Sequence, residues 1–303
     1  MTYTMSNVLL PRYVDLKLDC GFKAVFVDKN NKELLRKMLN LLLPERDAIA
    51  EIEAYLDREQ LPDFQGGKGS ALDVLCRTDD GRRFIVEMQK KGMDAFFERC
   101  IYYGSGLFRM NLERSGIYTS LQPVYVVGIL NYKLKHDDES QWDTDHVVSE
   151  YQMIEKRTGE FAPPTISCIF AELTRFTKTE AECRSDLDWL FYIFRQGSVV
   201  EKLAEEHRSG FTGELLRACE VAGFDKEKKL IFEQDMIQEM DKRAEDAYAK
   251  RVAREEGLKE GEAKGREEGV ASVVTKLLQS GMTPETIAKA TGLPVETVLS
   301  YRS

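Results

Sequence analysis

Hydrophobic residues recur at two different periods along the chain, and the period identifies each element. In residues 31–43, leucine and methionine return every three or four positions, which predicts an amphipathic helix that Pro44 ends. Residues 123–130 form an unbroken apolar run, which is typical of a strand buried on both faces. The same criteria predict a short helix at 19–26, strands at 50–56, 147–154 and 165–173, and helices at 93–115, 186–194 and 226–256.

The clearest local element is a β-hairpin. Two strand-like runs, 71–78 and 82–89, are joined by Asp79-Asp80-Gly81. An Asp-Gly pair between apolar runs is the strongest short-range hairpin signal. The residues just before it, 63–70, contain three glycines and predict a loop.

The C-terminal part of the chain has a different pattern. Four glycines, at positions 257, 261, 265 and 269, recur every fourth residue among charged side chains. This favours a flexible or weakly helical hinge, because each glycine costs helix stability, while a glycine-faced contact between two copies is the alternative. Residues 272–303 predict two or three short helices, either a helix-turn-helix or a small packing appendage.

Composition narrows the class of protein. The formal net charge of -9 argues against a polycationic nucleic-acid coat but allows a local basic cleft. Six cysteines without any CxxC pair predict reduced, buried thiols, and the three histidines lack the spacing of a zinc site. The chain shows no signal-peptide pattern and no apolar run of membrane-spanning length, so we expect a cytoplasmic protein without membrane contact.

The hairpin carries the candidate chemistry. Glu87 and Gln89 are two apart, so they share one face of their strand. If residues 79–81 form a three-residue loop, Asp73 falls opposite Glu87, and the three side chains can share a divalent cation. A two-residue turn would instead place Asp73 opposite Met88, on the wrong face.

The neighbours of these acids are apolar. Asp73 lies within Ala71–Cys76 and Glu87 within Phe84–Gln89, and buried carboxylates are costly unless a cation compensates them. The alternative is a solvated strand face that carries incidental acids. Cleavage of a phosphodiester bond requires a cation that polarises the phosphoryl oxygen and activates water, which is the function that the metal hypothesis implies.

The chain resembles a known nuclease family at several places. Asp73, the hairpin and then Glu87-Met88-Gln89 are similar to the Asp…(Asp/Glu)-x-Lys pattern of PD-(D/E)xK nucleases. More specifically, residues 10–135 resemble the recombination-promoting nuclease (Rpn) family, also described as PD-(D/E)xK family transposases. The matching pieces are Asp19-x-x-Phe22-Lys23-x-x-Phe26, Leu35-x-x-x-Leu39-Asn40-x-x-Leu43, Leu72-Asp73-Val74, Val86-Glu87-Met88-Gln89, Arg99-x-x-x-Tyr103 and Pro123–Leu130.

This resemblance implies an α/β fold of the restriction-endonuclease type, a mixed sheet flanked by helices, here with a helical C-terminal extension. It also implies DNA cleavage with Mg²⁺ or another divalent cation, in recombination, mobile elements or defence. The metal ligands would be Asp73, Glu87 and the backbone carbonyl of Met88, with Asp19 as a further acid or only a helix cap. No small-molecule cofactor is expected.

Gln89 stands where most members of the wider superfamily carry lysine, although the resembled family usually has glutamine. A glutamine can orient water but adds no positive charge, which Lys23 or Lys90 could supply instead. A solvated helix lysine is the alternative interpretation of Lys23, and the sequence leaves both interpretations open.

Five further residues are candidate nucleic-acid contacts. Arg99 and Tyr103 share one helical face, where Arg99 would contact a phosphate or would pair with Glu87. Lys90, Lys91 and Arg109 extend this rim, unless they are ordinary surface charges.

The sequence therefore predicts a nuclease core at 1–175, a helical extension at 176–256, and a glycine-spaced hinge with a small helical tail at 257–303. The expected function is a divalent-metal-dependent DNA endonuclease that forms a homodimer. The alternative is a DNA-binding or partner-binding regulatory protein that keeps the fold without catalysis. The tail would serve dimerisation or DNA docking.

Overall fold

Helices cover both faces of one β-sheet in the computed structural model, which describes residues 10–56, 73–112, 117–136, 138–142, 146–163, 165–197, 203 and 207–301. The contacts divide the chain into two compact units, Met1–Met236 and Ile237–Ser303. The first unit contains the sheet and all the candidate site residues.

The sheet has six strands in the order β1-β2-β3-β4-β6-β5. The central strands β3, β4 and β6 run parallel, while β1, β2 and β5 are antiparallel to their neighbours. The mixed sheet that the family resemblance implied is therefore confirmed. The strands are β1 (Ile52–Tyr55), β2 (Val74–Thr78), β3 (Arg83–Gln89), β4 (Val124–Leu130), β5 (Val148–Tyr151) and β6 (Ile166–Glu172).

Alternating side chains of the strands enter two hydrophobic cores, one on each face of the sheet. On β3, Phe84 and Val86 join the larger core, whereas Ile85 joins the smaller one. Helices α1 (Asp19–Phe26), α2 (Lys32–Leu42), α4 (Asp186–Gln196) and α5 (Gly210–Cys219) pack in the larger core. Helix α3 (Phe96–Met110) covers the smaller one.

The position of α1 depends on a glycine. A Cβ atom at Gly21 would lie 2.2 Å from the carbonyl oxygen of Asp15, so only glycine allows the preceding segment to pass this close. This contact fixes the helix that carries Asp19 and Lys23, two of the candidate site residues.

The boundary between the units differs from the one expected at 175. Helices α4 and α5 belong to the same core as α1 and α2, because their aromatic and leucine side chains are buried there. Helix α6 (Lys226–Gln279) begins in the first unit and ends in the second.

The glycine-spaced segment lies inside α6, where a hinge was expected. Alanine, glutamate, lysine and arginine surround the four glycines, and these good helix formers offset the cost of each glycine. Pairs one turn apart, Glu239 with Arg243 and Arg251 with Glu255, add small further support.

The second unit has its own small apolar cluster. Helices α7 (Pro284–Thr291) and α8 (Val295–Ser300) contribute Ile287 and Val298, which pack with Val274 of α6. Thr283 caps α7 through the backbone N–H of Thr286, and Gly292 ends it with a φ of 73°. The short helices expected in the tail are therefore present.

Two further expectations concern the whole chain. All six cysteines are buried and outside any disulfide, as their apolar surroundings predicted. Among the described helices, none is long and apolar enough to span a membrane.

Candidate active site

The hairpin has the longer of the two loops that the sequence allowed. The backbone N–H of Thr78 donates to the carbonyl of Arg82 over 3.0 Å, and Val74 pairs with Val86 further along. Gly81 makes the turn with a φ of 86°, in the left-handed region that favours glycine. This register is the one that the metal hypothesis required, but it ends at Val74, and Asp73 lies in a bend just before β2.

Asp73 lies buried just before β2. Its Oδ2 atom accepts a 2.6 Å hydrogen bond from the backbone N–H of Met88. Burial raises the pKa of Asp73 well above its usual range, and the neighbouring Asp19 carboxyl raises it further, against the opposing effects of Met88 and Lys23. This carboxylate is therefore costly to ionise until more positive charge is supplied.

Helix α1 brings one lysine to two carboxylates. Asp19 and Lys23 are one turn apart, and Lys23 Nζ lies 2.7 Å from Asp19 Oδ2. The same Nζ atom lies 3.9 Å from Asp73 Oδ1. One ammonium group thus faces two acids at this point, and it can balance the charge of only one of them.

Glu87 is held from the other side by α3. Its side chain is buried, and its Oε2 atom lies 2.5 Å from Arg99 Nη2 and 3.4 Å from Gln89 Nε2. Burial raises the pKa of Glu87, and Arg99 opposes that rise. The guanidinium of Arg99 lies over the rings of Phe96 and Tyr103, which fixes its position.

The candidate basic rim occupies two places. Lys90 and Lys91 directly follow β3, next to Gln89, and Lys91 is exposed. Arg109 is exposed near the end of α3, about 15 Å along the helix from Arg99 at 1.5 Å per residue. The lysines are therefore close to the acids along the chain, whereas Arg109 is remote from them.

Most of the chain matches one known protein family. Residues 16–249 match the family model described as PD-(D/E)XK nuclease family transposase. The chain belongs to this family. No curated protein and no solved structure matched the chain. The matched range includes every candidate site residue, so these residues lie in a nuclease-family transposase domain.

The candidate metal ligands do not all come together in the described part of the chain. In the described part of the chain, no group of three histidine, cysteine, aspartate or glutamate side chains is arranged to hold a metal ion. Asp19 and Asp73 come together, while Glu87 is engaged by Arg99. The backbone groups of Arg83 and Gln89, at the two ends of β3, form hydrogen bonds on the β4 side. The backbone N–H of Met88 points the other way, toward β2, and donates to Asp73.

The sequence did not predict one acidic residue near the site. Asp235, on α6, shares the electrostatic environment of Lys23 and Asp19, and burial is the main cause that raises its pKa. It lines a groove of about 600 Å³ between α1 and the start of α6, together with Lys23 and Phe232. No local pattern marks Asp235, because it reaches the site only through long-range packing.

Proposed function

We propose that the protein hydrolyses phosphodiester bonds of DNA with the help of a divalent cation. The observation that supports this proposal is a pair of buried acids at one end of the hairpin, with Asp73 beside Lys23 and Asp19 of α1 and Glu87 beside Arg99 of α3. Buried carboxylates are retained at such a cost mainly where they bind a cation or do chemistry. Membership of a nuclease family supports the same reaction class.

The residues present fit a divalent cation of the magnesium type. Asp73, Asp19, Glu87 and the backbone carbonyl of Met88 offer only oxygen donors, which Mg²⁺ prefers. Burial and then the neighbouring Asp19 carboxyl raise the pKa of Asp73, and a bound cation would favour its charged form. When bound, such a cation polarises a phosphoryl oxygen and lowers the pKa of water.

The protein's own groups have separate roles in this proposal. Lys23 places a positive charge beside the acids, where negative charge develops on the phosphate. Gln89 orients the attacking water through its amide. Arg99 holds Glu87 in place and, on release of this pair, would contact a phosphate.

DNA is expected to approach over the rim formed by Tyr103, Lys90, Lys91 and Arg109. Lysine and arginine bind the phosphate backbone without reading sequence, which suits positioning of the duplex. A local basic rim is compatible with the net negative charge of the protein, because the attraction of DNA depends on the electrostatic potential of the surface that contacts it.

Cleavage of supercoiled plasmid by purified protein, with Mg²⁺ or with EDTA, tests the proposal. We predict that Asp73→Asn and Glu87→Gln each lower cleavage at least about a hundredfold, because each removes a charged ligand. Asp73→Asn should leave the melting temperature near that of the unmodified protein, because asparagine keeps an acceptor for the Met88 N–H. Glu87→Gln should lower it, because Arg99 loses its carboxylate partner, so circular dichroism checks that this variant is folded at the assay temperature.

The matched control is Asp79→Asn, an exposed acid in the turn of the same hairpin. It should cleave like the unmodified protein. Full activity of either folded site variant would exclude the assignment, and plasmid binding without cleavage would favour the non-catalytic alternative.

A further inference from the structure

Two adjacent arginines of the hairpin have very different environments. The guanidinium of Arg82 donates to Asp80 Oδ2 at 2.7 Å, to the Asp47 carbonyl at 2.7 Å and to the Ala48 carbonyl at 2.9 Å. The side chain of Arg83 has no acceptor and no carboxylate partner within the described residues, and its Nε atom is buried without a hydrogen bond. Among the described residues, the side chain of Arg82 thus has three hydrogen-bond acceptors, whereas that of Arg83 has none.

The surroundings of Arg83 add to this imbalance. Its direct cross-strand partner is Arg77, and like charges in that position are destabilising. Arg77 is already paired with Glu53, with 2.8 Å between Nε and Oε2. Burial, followed by the charge of Arg77, lowers the pKa of Arg83. Arg83 is therefore a partly buried cation that lacks a counter-ion from the described protein.

Arg83 lies at the opposite end of β3 from Glu87. Arg83, Ile85 and Glu87 alternate with residues of the larger core, so they share the face of β3 that α3 covers, where Ile85 and Glu87 are buried and Arg83 is half-buried. Four residues separate Arg83 from Glu87, which is about 13 Å along a strand. A phosphate bound at Arg83 is therefore distinct from one at the candidate active site.

We propose that Arg83, with Arg77 opposite, binds a backbone phosphate of duplex DNA away from the bond that is cut. A guanidinium presents a planar fork of donors that matches phosphate oxygens. Because Arg83 has no carboxylate partner among the described residues, an anionic ligand would balance its positive charge. Inorganic phosphate has the same chemistry. The choice of DNA over free phosphate rests on the proposed function.

The test is DNA affinity in EDTA, which makes binding independent of cleavage. Arg83→Gln should weaken binding of a short duplex several-fold and reduce the slope of log affinity against log salt by about 0.9, the value for one lost phosphate contact. Its melting temperature should equal or exceed that of the unmodified protein, because the lost charge has no partner to leave behind. Arg83→Lys should keep the salt slope.

Arg82→Gln is the matched control in the neighbouring position. It should lower the melting temperature, because three hydrogen bonds of its side chain are lost, and leave the salt slope unchanged.

Three results would overturn the inference. The first is that Arg83→Gln changes neither the DNA affinity nor its dependence on salt. The second is that this variant has a lower melting temperature. The third is that inorganic phosphate stabilises the protein through Arg83 while the variant binds DNA normally. If the unmodified protein binds DNA through Arg83 but does not cleave it, the phosphate site stands and the nuclease proposal fails.

Discussion

By its resemblance to the PD-(D/E)xK pattern, Gln89 corresponds to the position of the usual lysine, and its Nε2 atom lies 3.4 Å from Glu87 Oε2. We predict that Gln89→Lys retains or raises plasmid cleavage, because an ammonium group adds positive charge beside the reacting phosphate. Gln89→Ala should lower cleavage about tenfold, since the amide that orients water is lost. Initial rates at saturating Mg²⁺ measure both effects.

Gln141→Ala, an exposed glutamine outside the site, is the control for this pair. Unchanged rates in both Gln89 variants would place Gln89 outside the reacting groups. A loss of activity in Gln89→Lys together with normal Gln89→Ala activity would instead indicate that the new lysine neutralises Glu87.

At the residue scale, the sequence predicted some pairings and not others. The three-residue loop of the hairpin was one of two alternatives, because strand alternation and turn length are local properties. The contact of Asp73 with Asp19 and the position of Asp235 depend on how distant helices pack. The sequence also does not show that Arg83 lacks an acceptor among the described residues, because this depends on which side chains pack around it.

At the scale of elements, strong periodicity located the helices and strands, while their ends were less well defined. The helix predicted at 31–43 spans Lys32–Leu42, and the strand at 123–130 spans Val124–Leu130. Helix α3 is shorter than the predicted 93–115, because Ala95 precedes it in a left-handed conformation with a φ of 56°. The hinge expected at Gly257 was not found, because helix-forming neighbours outweigh the glycines.

An ion pair connects two elements beside the candidate site. Asp28 follows α1, and its Oδ2 atom lies 2.6 Å from Lys228 Nζ in the first turn of α6. Burial raises the pKa of Asp28, but the hydrogen bonds from Lys228 and Asn30 outweigh it, so the net pKa falls below 3.8. The folded state therefore binds this proton less tightly than the unfolded chain does.

We predict that Asp28→Asn lowers the free energy of unfolding by about 0.5–1 kcal/mol at pH 7, a value reduced for solvent screening. A lowered folded pKa gives stability that is complete above pH 3.8 and is lost as the pH falls through the folded pKa. Urea unfolding of the two single variants, Asp28→Asn and Lys228→Gln, and of the double variant isolates the pair. A coupling energy that persists unchanged at pH 2.5 would contradict this account.

At the scale of the whole molecule, the sequence predicted the family and the fold but placed the domain boundary differently. Local patterns identified the helices after 185 but could not show that α4 and α5 bury their apolar faces with α1 and α2. Such contacts join segments far apart in the chain, which no short window contains. The contacts place the division at Met236, and the family match continues to residue 249.

The last prediction concerns residues 257–303, whose removal should leave a folded protein that still cleaves plasmid. The truncated chain keeps the unit Met1–Met236 and the whole family match, and it loses the small cluster around Val274, Ile287 and Val298. A unit of this size is marginal alone, so we propose that it serves dimerisation or DNA docking. Light scattering should then show a smaller assembly, or a salt series should show weaker DNA binding with a shallower slope. Unfolding of the truncated protein would contradict this division, because it would show that the nuclease unit needs the tail for its own stability.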